Sequence, residues 1–266
     1  MPDVYANIAD ADPAMQERLA GILELRAADR QQRGMLESYT ADLALSAGAR
    51  VLEIGCGTGA VSRFLTTLEN VDEVVGVDPG VVFIDRAREL TKNSRISFVV
   101  GDGTALEVGE GVFDAVVCHT TLSHVPDCGG VLAEAHRVLR SGGQLAVFDG
   151  DYATTTVAIR SNDPLQACID HAIATLVHDP WLVRRLVALI RDAGFEHCRL
   201  RSFAYTQTDD ADYMLTLVDR GADALLSEGK LSAARAEQLK GEARARIARG
   251  TFFGHIAYAS VIARRS

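Results

Sequence analysis

Residues 51–65 read VLEIGCGTGAVSRFL, an apolar strand-like run that breaks at Gly55, Gly57 and Gly59 and resumes with helical character. Glycine at such a turn lets backbone approach a ligand closely, because no Cβ stands in the way and positive φ is tolerated. The spacing alone leaves the ligand open. Gly55, Gly57 and Ala60 also satisfy the G-x-G-x-x-G/A pattern of dinucleotide-binding folds, so a nicotinamide or flavin enzyme has to be weighed.

Outward from this turn, short β-branched runs alternate with helical stretches: RVLEI at 50–54, EVVGV at 73–77 with a helix over 81–91, ISFVV at 96–100, FDAVVC at 113–118 and QLAVFD at 144–149. The first helix is expected to run to about residue 69. That alternation predicts an α/β fold with five buried parallel strands joined by crossover helices. Residues 14–45, rich in Ala, Leu, Arg, Gln and Glu, predict one or two amphipathic helices ahead of the sheet. Later, WLVRRLVALIRDAGF (181–195) predicts a helix stopped at Gly194, leading into the extended CRLRSFAY (198–205), and TFFGHIAYASVIA (251–263) predicts a last strand. Residues 209–250 between them have helical composition and are expected to cover one edge of the sheet, closing over substrate rather than completing the core. The expected organisation is one domain over 1–266: an N-terminal helical cap at 1–45, a cofactor-binding core at 46–150, and a substrate-side region at 151–266 with a helical insertion at 209–250.

The residues around the glycine turn narrow the ligand. Glu53, two positions before Gly55, would repel a pyrophosphate but can receive the ammonium of an amino-acid cofactor. Asp78 follows the second strand, where a carboxylate can accept from both ribose hydroxyls. After the third strand comes Gly101-Asp102-Gly103-Thr104, in which Asp102 can accept from an adenine amino group. Three successive strand ends thus suit methionine, ribose and adenine in turn. Each residue also has a plainer reading, as a tight turn, a helix N-cap or a self-stabilised loop.

Over residues 45–150 the chain resembles the class I S-adenosylmethionine-dependent methyltransferases. VLEIGCGTG is similar to their first motif, VVGVDPG (74–80) to the ribose-binding turn and VVGDGTAL (99–106) to the adenine-binding turn. FDAVVCHTTLSHVPD (113–127) is similar to the fourth-strand region, and HRVLRSGGQLAVFD (136–149) to the fifth. Five motifs in order are more specific than one. The nearest likeness is to the group that includes ubiquinone- and menaquinone-pathway and natural-product methyltransferases. It implies a Rossmann-like, seven-stranded, mostly parallel sheet with helices on both faces, ending in an antiparallel hairpin.

The resemblance implies S-adenosylmethionine as cofactor, held by Glu53, Gly55, Gly57, Gly59, Asp78, Asp102, Gly103, Thr104 and His119, with His119 against the methionyl portion. The expected reaction is methyl transfer to an O, N or C atom of a small-molecule acceptor. In open α/β sheets the ligand crevice lies beyond the carboxyl ends of the strands, which draws attention to Ser123, His124 and Asp127 after strand four and to Asp149, Asp151 and Tyr152 after strand five. His124 matches a histidine that serves some members as general base, and Asp149 stands where a carboxylate assists it; a loop histidine can equally cap a helix. The alternatives are an NAD-dependent oxidoreductase, and a protein that binds S-adenosylmethionine without transferring methyl.

The net charge of −9 disfavours a nucleic-acid partner, since that binding relies on Lys and Arg neutralising phosphates. No stretch reaches the roughly 18 to 20 apolar residues of a membrane span, and the opening MPDVYANIAD lacks the basic and apolar regions of a signal peptide, so no membrane partner and a cytoplasmic location are expected. A homodimer is compatible with the sequence. The five cysteines are odd in number and hold no C-x-x-C pair, which argues against a disulfide framework; Cys118, His119, His124 and Cys128 fit no familiar zinc spacing, so no metal is expected. His136 and His171 read as facing solvent or partner side chains, and Trp181 as core.

Overall fold

In the computed structural model, Ile8 and residues 12–266 are described; the rest of the opening MPDVYANIAD and of the 1–45 cap lies outside the described residues. The N-terminal helical segment is two helices, α1 (Pro13–Ala28) and α2 (Arg30–Thr40). Asp29 divides them: extended at ψ 129°, it accepts from the backbone N–H groups of Gln31 (2.8 Å) and Gln32 (3.0 Å) and so caps α2.

The chain continues through β1 (Ala49–Ile54), α3 (Ala60–Leu65), β2 (Val71–Asp78), α4 (Val81–Leu90), β3 (Ile96–Val100), β4 (Phe113–His119), α5 (Cys128–Val138), β5 (Leu139–Thr156), α6 (Pro164–Leu176), α7 (Leu186–Asp192), β6 (Phe195–Gln207), α8 (Asp212–Ser227), α9 (Ala233–Ala248) and β7 (Gly254–Arg265). The seven strands form one sheet in the order β3-β2-β1-β4-β5-β7-β6. The first five strands pair in parallel, and β7 runs antiparallel between β5 and β6.

Three boundaries differ from expectation. α3 stops at Leu65 rather than near 69, because the hydroxyls of Thr66 and Thr67 bond back to the carbonyls of Arg63 (2.9 Å) and Phe64 (2.7 Å) and turn the chain toward β2. β5 continues to Thr156, across the expected 150/151 division, since its second half still pairs with β7. The helix expected from Trp181 is a 3-10 turn over Leu182–Arg184 followed by the short α7. Trp181 itself is 53% exposed, with the Arg184 guanidinium 4.2 Å from its ring centroid, so it lies on the surface and not in the core.

Side chains alternate between two cores, as sheet pleating requires. Val51, Val74, Val117, Ala146 and Phe148 face a layer made by α2, α6, α8 and α9; Leu52, Ile54, Val116, Leu145 and Val147 face α5 and α7. The insertion therefore belongs to the main core. Met214, Val218, Ala222, Ala236 and Ala243 are buried with the sheet residues. Gly221 of α8 lies so close to Cys168 of α6 that a Cβ would overlap the Cys168 carbonyl. The expectation that 209–250 does not complete the core is corrected: its apolar face covers the sheet. No helix among the described residues is long and apolar enough to cross a membrane.

Candidate active site

The carboxyl ends of β1, β2, β3 and β4 open on one cavity of about 690 Å³, whose opposite wall is built by α1 and α2. After β1 the chain bends at Gly55 (φ 74°), where a side chain would collide with that of Thr121. Gly55 and Gly57 line the cavity. Gly59 (φ 77°) does not: a Cβ there would meet Phe98 and Ala87, so its lack of a side chain allows α3 to close against β3 and α4.

Glu53, 2% exposed, lines the cavity from the end of β1 and accepts a short hydrogen bond from the Ser62 hydroxyl of α3. Burial pushes its carboxyl up to about 8, against the hydrogen bond from Ser62 that lowers it. Asp78 closes β2; one carboxylate oxygen accepts from Gly57 N–H (2.9 Å) and the other from Gly80 N–H (2.8 Å). It too is raised by burial, to about 6, with the two amides opposing. A carboxylate has about four lone-pair sites, so Asp78 retains acceptor capacity toward the cavity. Asp102 accepts from both the N–H and the hydroxyl of Thr104 (2.8 Å each), shaping the turn that presents Asp102, Gly103 and Thr104 to the same space.

His119 ends β4 against the rings of Tyr39 and Phe148, with centroids 5.8 and 4.7 Å away and those two rings 5.2 Å from each other, and its Nδ1 is 2.9 Å from the Tyr39 hydroxyl. Burial and then the charge of Arg26 hold its pKa well below the imidazole norm, so it is neutral at physiological pH. The next residue, Thr120, has φ 52°, a strained value for a β-branched residue; its hydroxyl accepts from Arg26 of α1 and its N–H donates to Phe148 O at 2.6 Å.

His124 lies in the 3-10 turn Leu122–His124 and walls both the main cavity and a smaller neighbouring one. Asp149 does not line either cavity; it is fully buried beneath that turn, bonded to Ser123 and to Gly150 N–H. Its carboxyl is raised by burial, with the nearby His124 charge the largest opposing influence, so the two residues lie within electrostatic reach. Of the other strand-end residues, Asp127 caps α5 through Gly130 N–H (2.8 Å), and Asp151 pairs with Arg184 (2.9 Å). His171 meets Glu228 (3.1 Å) and His136 packs edge-on to Phe195.

Several cavity residues carried no sequence signal. Arg26, Gln32 and Leu36 reach the site only because α1 and α2 fold back over the strand ends. Ser62, which holds Glu53, follows the glycine turn on α3 and could have been found as a polar residue facing a buried acid.

The donor set suits a cofactor of amino-acid and nucleoside parts. Glu53, Asp78 and the Asp102 turn supply acceptors at three successive strand ends, where a pyrophosphate would be repelled. Residues 52–147 match the methyltransferase domain family. The chain is 27% identical over 220 residues to an uncharacterised 37.1 kDa protein in a Streptomyces fradiae transposon, covering 81% of this chain and 62% of that one. It is 32% identical over 151 residues to the 27-O-demethylrifamycin SV methyltransferase of Amycolatopsis mediterranei, covering 55% of this chain and 48% of the relative. The matched part thus spans roughly half to three-fifths of these relatives. In fold it is similar to phosphoethanolamine N-methyltransferase 2 of Haemonchus contortus, solved with S-adenosyl-L-methionine, at 16% identity and TM-score 0.56 over 87% of this chain and 52% of that one. Residues 52–147 thus match a methyltransferase domain, and in sequence and fold the chain is similar to S-adenosylmethionine-dependent methyltransferases.

Proposed function

We propose that this chain is a cytoplasmic enzyme that moves the methyl group of S-adenosylmethionine to an O, N or C atom of a small molecule. The observation that carries the reading is the meeting of Glu53, Asp78 and the Asp102 turn in one cavity of about 690 Å³, within the size range of small-molecule sites. Bound there, S-adenosylmethionine supplies an electrophilic methyl on a positively charged sulfur. Glu53 receives the ammonium, Asp78 the ribose hydroxyls, and Asp102 with Gly103 and Thr104 the adenine, while His119 walls the methionyl end. What remains for the protein is to align the acceptor in line with the methyl, the main source of rate in such a displacement. Where the acceptor must lose a proton, His124 takes it, and Asp149 beneath the turn holds the imidazole in place.

The test is binding and product analysis together. S-adenosylhomocysteine and S-adenosylmethionine, but not NAD or NADP, should raise the melting temperature. With acceptor present, S-adenosylhomocysteine should accumulate. Stabilisation by NAD alone would overturn the cofactor assignment; tight S-adenosylmethionine binding without methyl movement across an acceptor panel would make the chain a binding protein instead.

A further inference from the structure

The two ring nitrogens of His119 have different surroundings. Nδ1 lies 2.9 Å from the hydroxyl of Tyr39 on α2, a fully buried side chain whose hydroxyl has no second hydrogen-bond partner among the described residues. Tyr39 is no part of the cavity wall, so a ligand there does not reach its hydroxyl. If Nδ1 carried the hydrogen, it would donate to the tyrosine oxygen and leave the tyrosine O–H shut in without an acceptor, which is costly. Ionisation offers no escape, because burial, and then the nearby Glu53, push the tyrosine pKa further up. The hydroxyl therefore donates, Nδ1 accepts, and the neutral imidazole carries its hydrogen on Nε2. Nε2 has no partner among the described residues, and His119 lines the cavity. Stacking holds the plane of the ring: Phe148 lies 4.7 Å from it at 19°, with Tyr258 5.1 Å beyond Phe148 at 5°. The stack does not distinguish the two edges of the imidazole; the hydroxyl does.

Resting on the methyltransferase reading, we propose that Tyr39 is a positioning residue that holds His119 as its Nε2–H tautomer, so that the imidazole donates a hydrogen bond to the carboxylate at the amino-acid end of the cofactor. The ligand atom follows from charge. An N–H turned toward the cavity opposes the sulfonium and the ammonium, whereas a carboxylate oxygen accepts from it. Arg26, within electrostatic reach of His119, adds a field of the same preference. Strands β1 and β4 are neighbours, with Ile54 opposite Cys118, so Glu53 and His119 stand at adjoining strand ends, one suited to the ammonium and the other to the carboxylate that share a carbon. The opposite tautomer would turn a lone pair on the same carboxylate and convert the bond into a repulsion. Tyr39 thus acts on the ligand without touching it.

The experiment uses the whole chain. Histidine-ring nitrogen–proton correlation spectra of the free protein at neutral pH, with the His119 signals identified by their loss in His119→Gln, should show a protonated Nε2 and an unprotonated Nδ1. Tyr39→Phe, which keeps the ring stacked on Phe148, should give a mixture of tautomers and weaken S-adenosylhomocysteine by roughly three- to tenfold. The decarboxylated analogue of S-adenosylhomocysteine should bind the native and Tyr39→Phe chains equally, within about twofold. His119→Gln, whose amide N–H reaches the place of Nε2–H, should bind S-adenosylhomocysteine more tightly than His119→Leu, and Tyr39→Phe should add no loss to His119→Leu. A protonated Nδ1 in the native chain, a pure Nε2–H tautomer or unchanged affinity in Tyr39→Phe, or equal losses for the two ligands overturns the proposal, the last making Tyr39 a packing residue. Should Tyr39→Phe fail to fold, the native spectrum and the comparison of His119→Gln with His119→Leu decide it, equal affinities of those two overturning it. Absence of S-adenosylhomocysteine binding by the native chain overturns the methyltransferase reading instead, while the tautomer of the free protein is read without any ligand.

Discussion

Ser123 and Asp149 are joined twice: the Ser123 hydroxyl donates to one carboxylate oxygen at 2.7 Å and the Ser123 N–H donates to the other at 3.1 Å. With Gly150 N–H as a third donor at 2.8 Å, Asp149 fastens the turn carrying His124 to the middle of β5. Sequence placed Asp149 beside His124 as a supporting charge; its bonds to Ser123 support the proposal that it acts instead as a positioning residue.

His124→Ala is accordingly expected to lower kcat by about 10² to 10⁴ on an acceptor that loses a proton, the range for loss of a general base, with cofactor affinity unchanged. Asp149→Asn puts an amide against a donor of Ser123 or Gly150 and should lower kcat less. The double variant should lose less than the sum of the singles in free energy, because both changes act on one imidazole. Steady-state kinetics with S-adenosylhomocysteine titrations check this, and near-normal kcat in His124→Ala would leave alignment as the source of rate.

Glu53 gives a pH signature. Its carboxyl is pushed up to about 8 by burial, so the free protein holds a proton there at pH 7, and a ligand ammonium placed against it favours the ionised form. Binding of S-adenosylhomocysteine at pH 7 should therefore release close to one proton, read from the dependence of calorimetric enthalpy on buffer ionisation heat, and affinity should rise with pH until about 8. Stability runs the other way. Between the unfolded value near 4.5 and the folded value near 8 the native state binds more protons than the unfolded one, so rising pH costs stability across that window. Glu53→Gln should flatten the fall in melting temperature over pH 5 to 8 while weakening S-adenosylhomocysteine; an unchanged pH profile would place the titration elsewhere.

Asp78→Ala should weaken S-adenosylhomocysteine by about 1.5 to 3 kcal/mol, the scale of charged hydrogen bonds. It should also lower the melting temperature, because Asp78 accepts from Gly57 and Gly80 and its loss leaves two backbone donors of the binding turn unpaired. Thermal unfolding and ligand titration separate the two effects; unchanged affinity with a lowered melting temperature would make Asp78 a turn residue only.

The strand ends were legible in sequence because parallel strands read as short apolar runs whose carboxyl ends converge at one edge of the sheet, although β3, expected buried, is an edge strand with Val99 and Val100 47% and 43% exposed. RVLEI, EVVGV, ISFVV, FDAVVC and QLAVFD all became strands, and the acids at the carboxyl ends of the first three, Glu53, Asp78 and Asp102, line one cavity. The opposite wall was not legible. Arg26 and Tyr39 sit on helices whose composition says amphipathic and nothing more; what brings them to His119 is the return of α1 and α2 across the sheet. Gly59 shows the converse limit, since its place in the motif suggests a ligand while its surroundings are Phe98 and Ala87. Trp181 misled for a local reason, because an aromatic at the head of an apolar helix pattern reads as buried when a 3-10 turn in fact swings it outward.

The insertion offers the sharpest energetic test. Arg246 of α9, with a side chain 3% exposed, donates to both oxygens of Asp163 at 2.7 and 3.0 Å; Asp163, fully shielded at its side chain, also caps α6 through Leu165 N–H and accepts from Ile159 N–H in the segment before the helix, each at 3.1 Å. A flap that opened and closed over substrate would have to break this pair on every turnover, at the cost of exposing the apolar faces of α8 and α9. Arg246→Met removes the cation and leaves a buried carboxylate, a change that typically costs about 3 to 5 kcal/mol. Gly221→Ala should be destabilising for a separate reason, because the added methyl overlaps the Cys168 carbonyl and must push α8 off α6. Both should lower the denaturation midpoint with a single cooperative transition, and replacing 209–250 with a short linker should abolish S-adenosylhomocysteine binding through unfolding. A folded, cofactor-binding linker variant, or Arg246→Met with unaltered global stability but faster amide exchange confined to α8 and α9, would show that the helices form a separable cover after all.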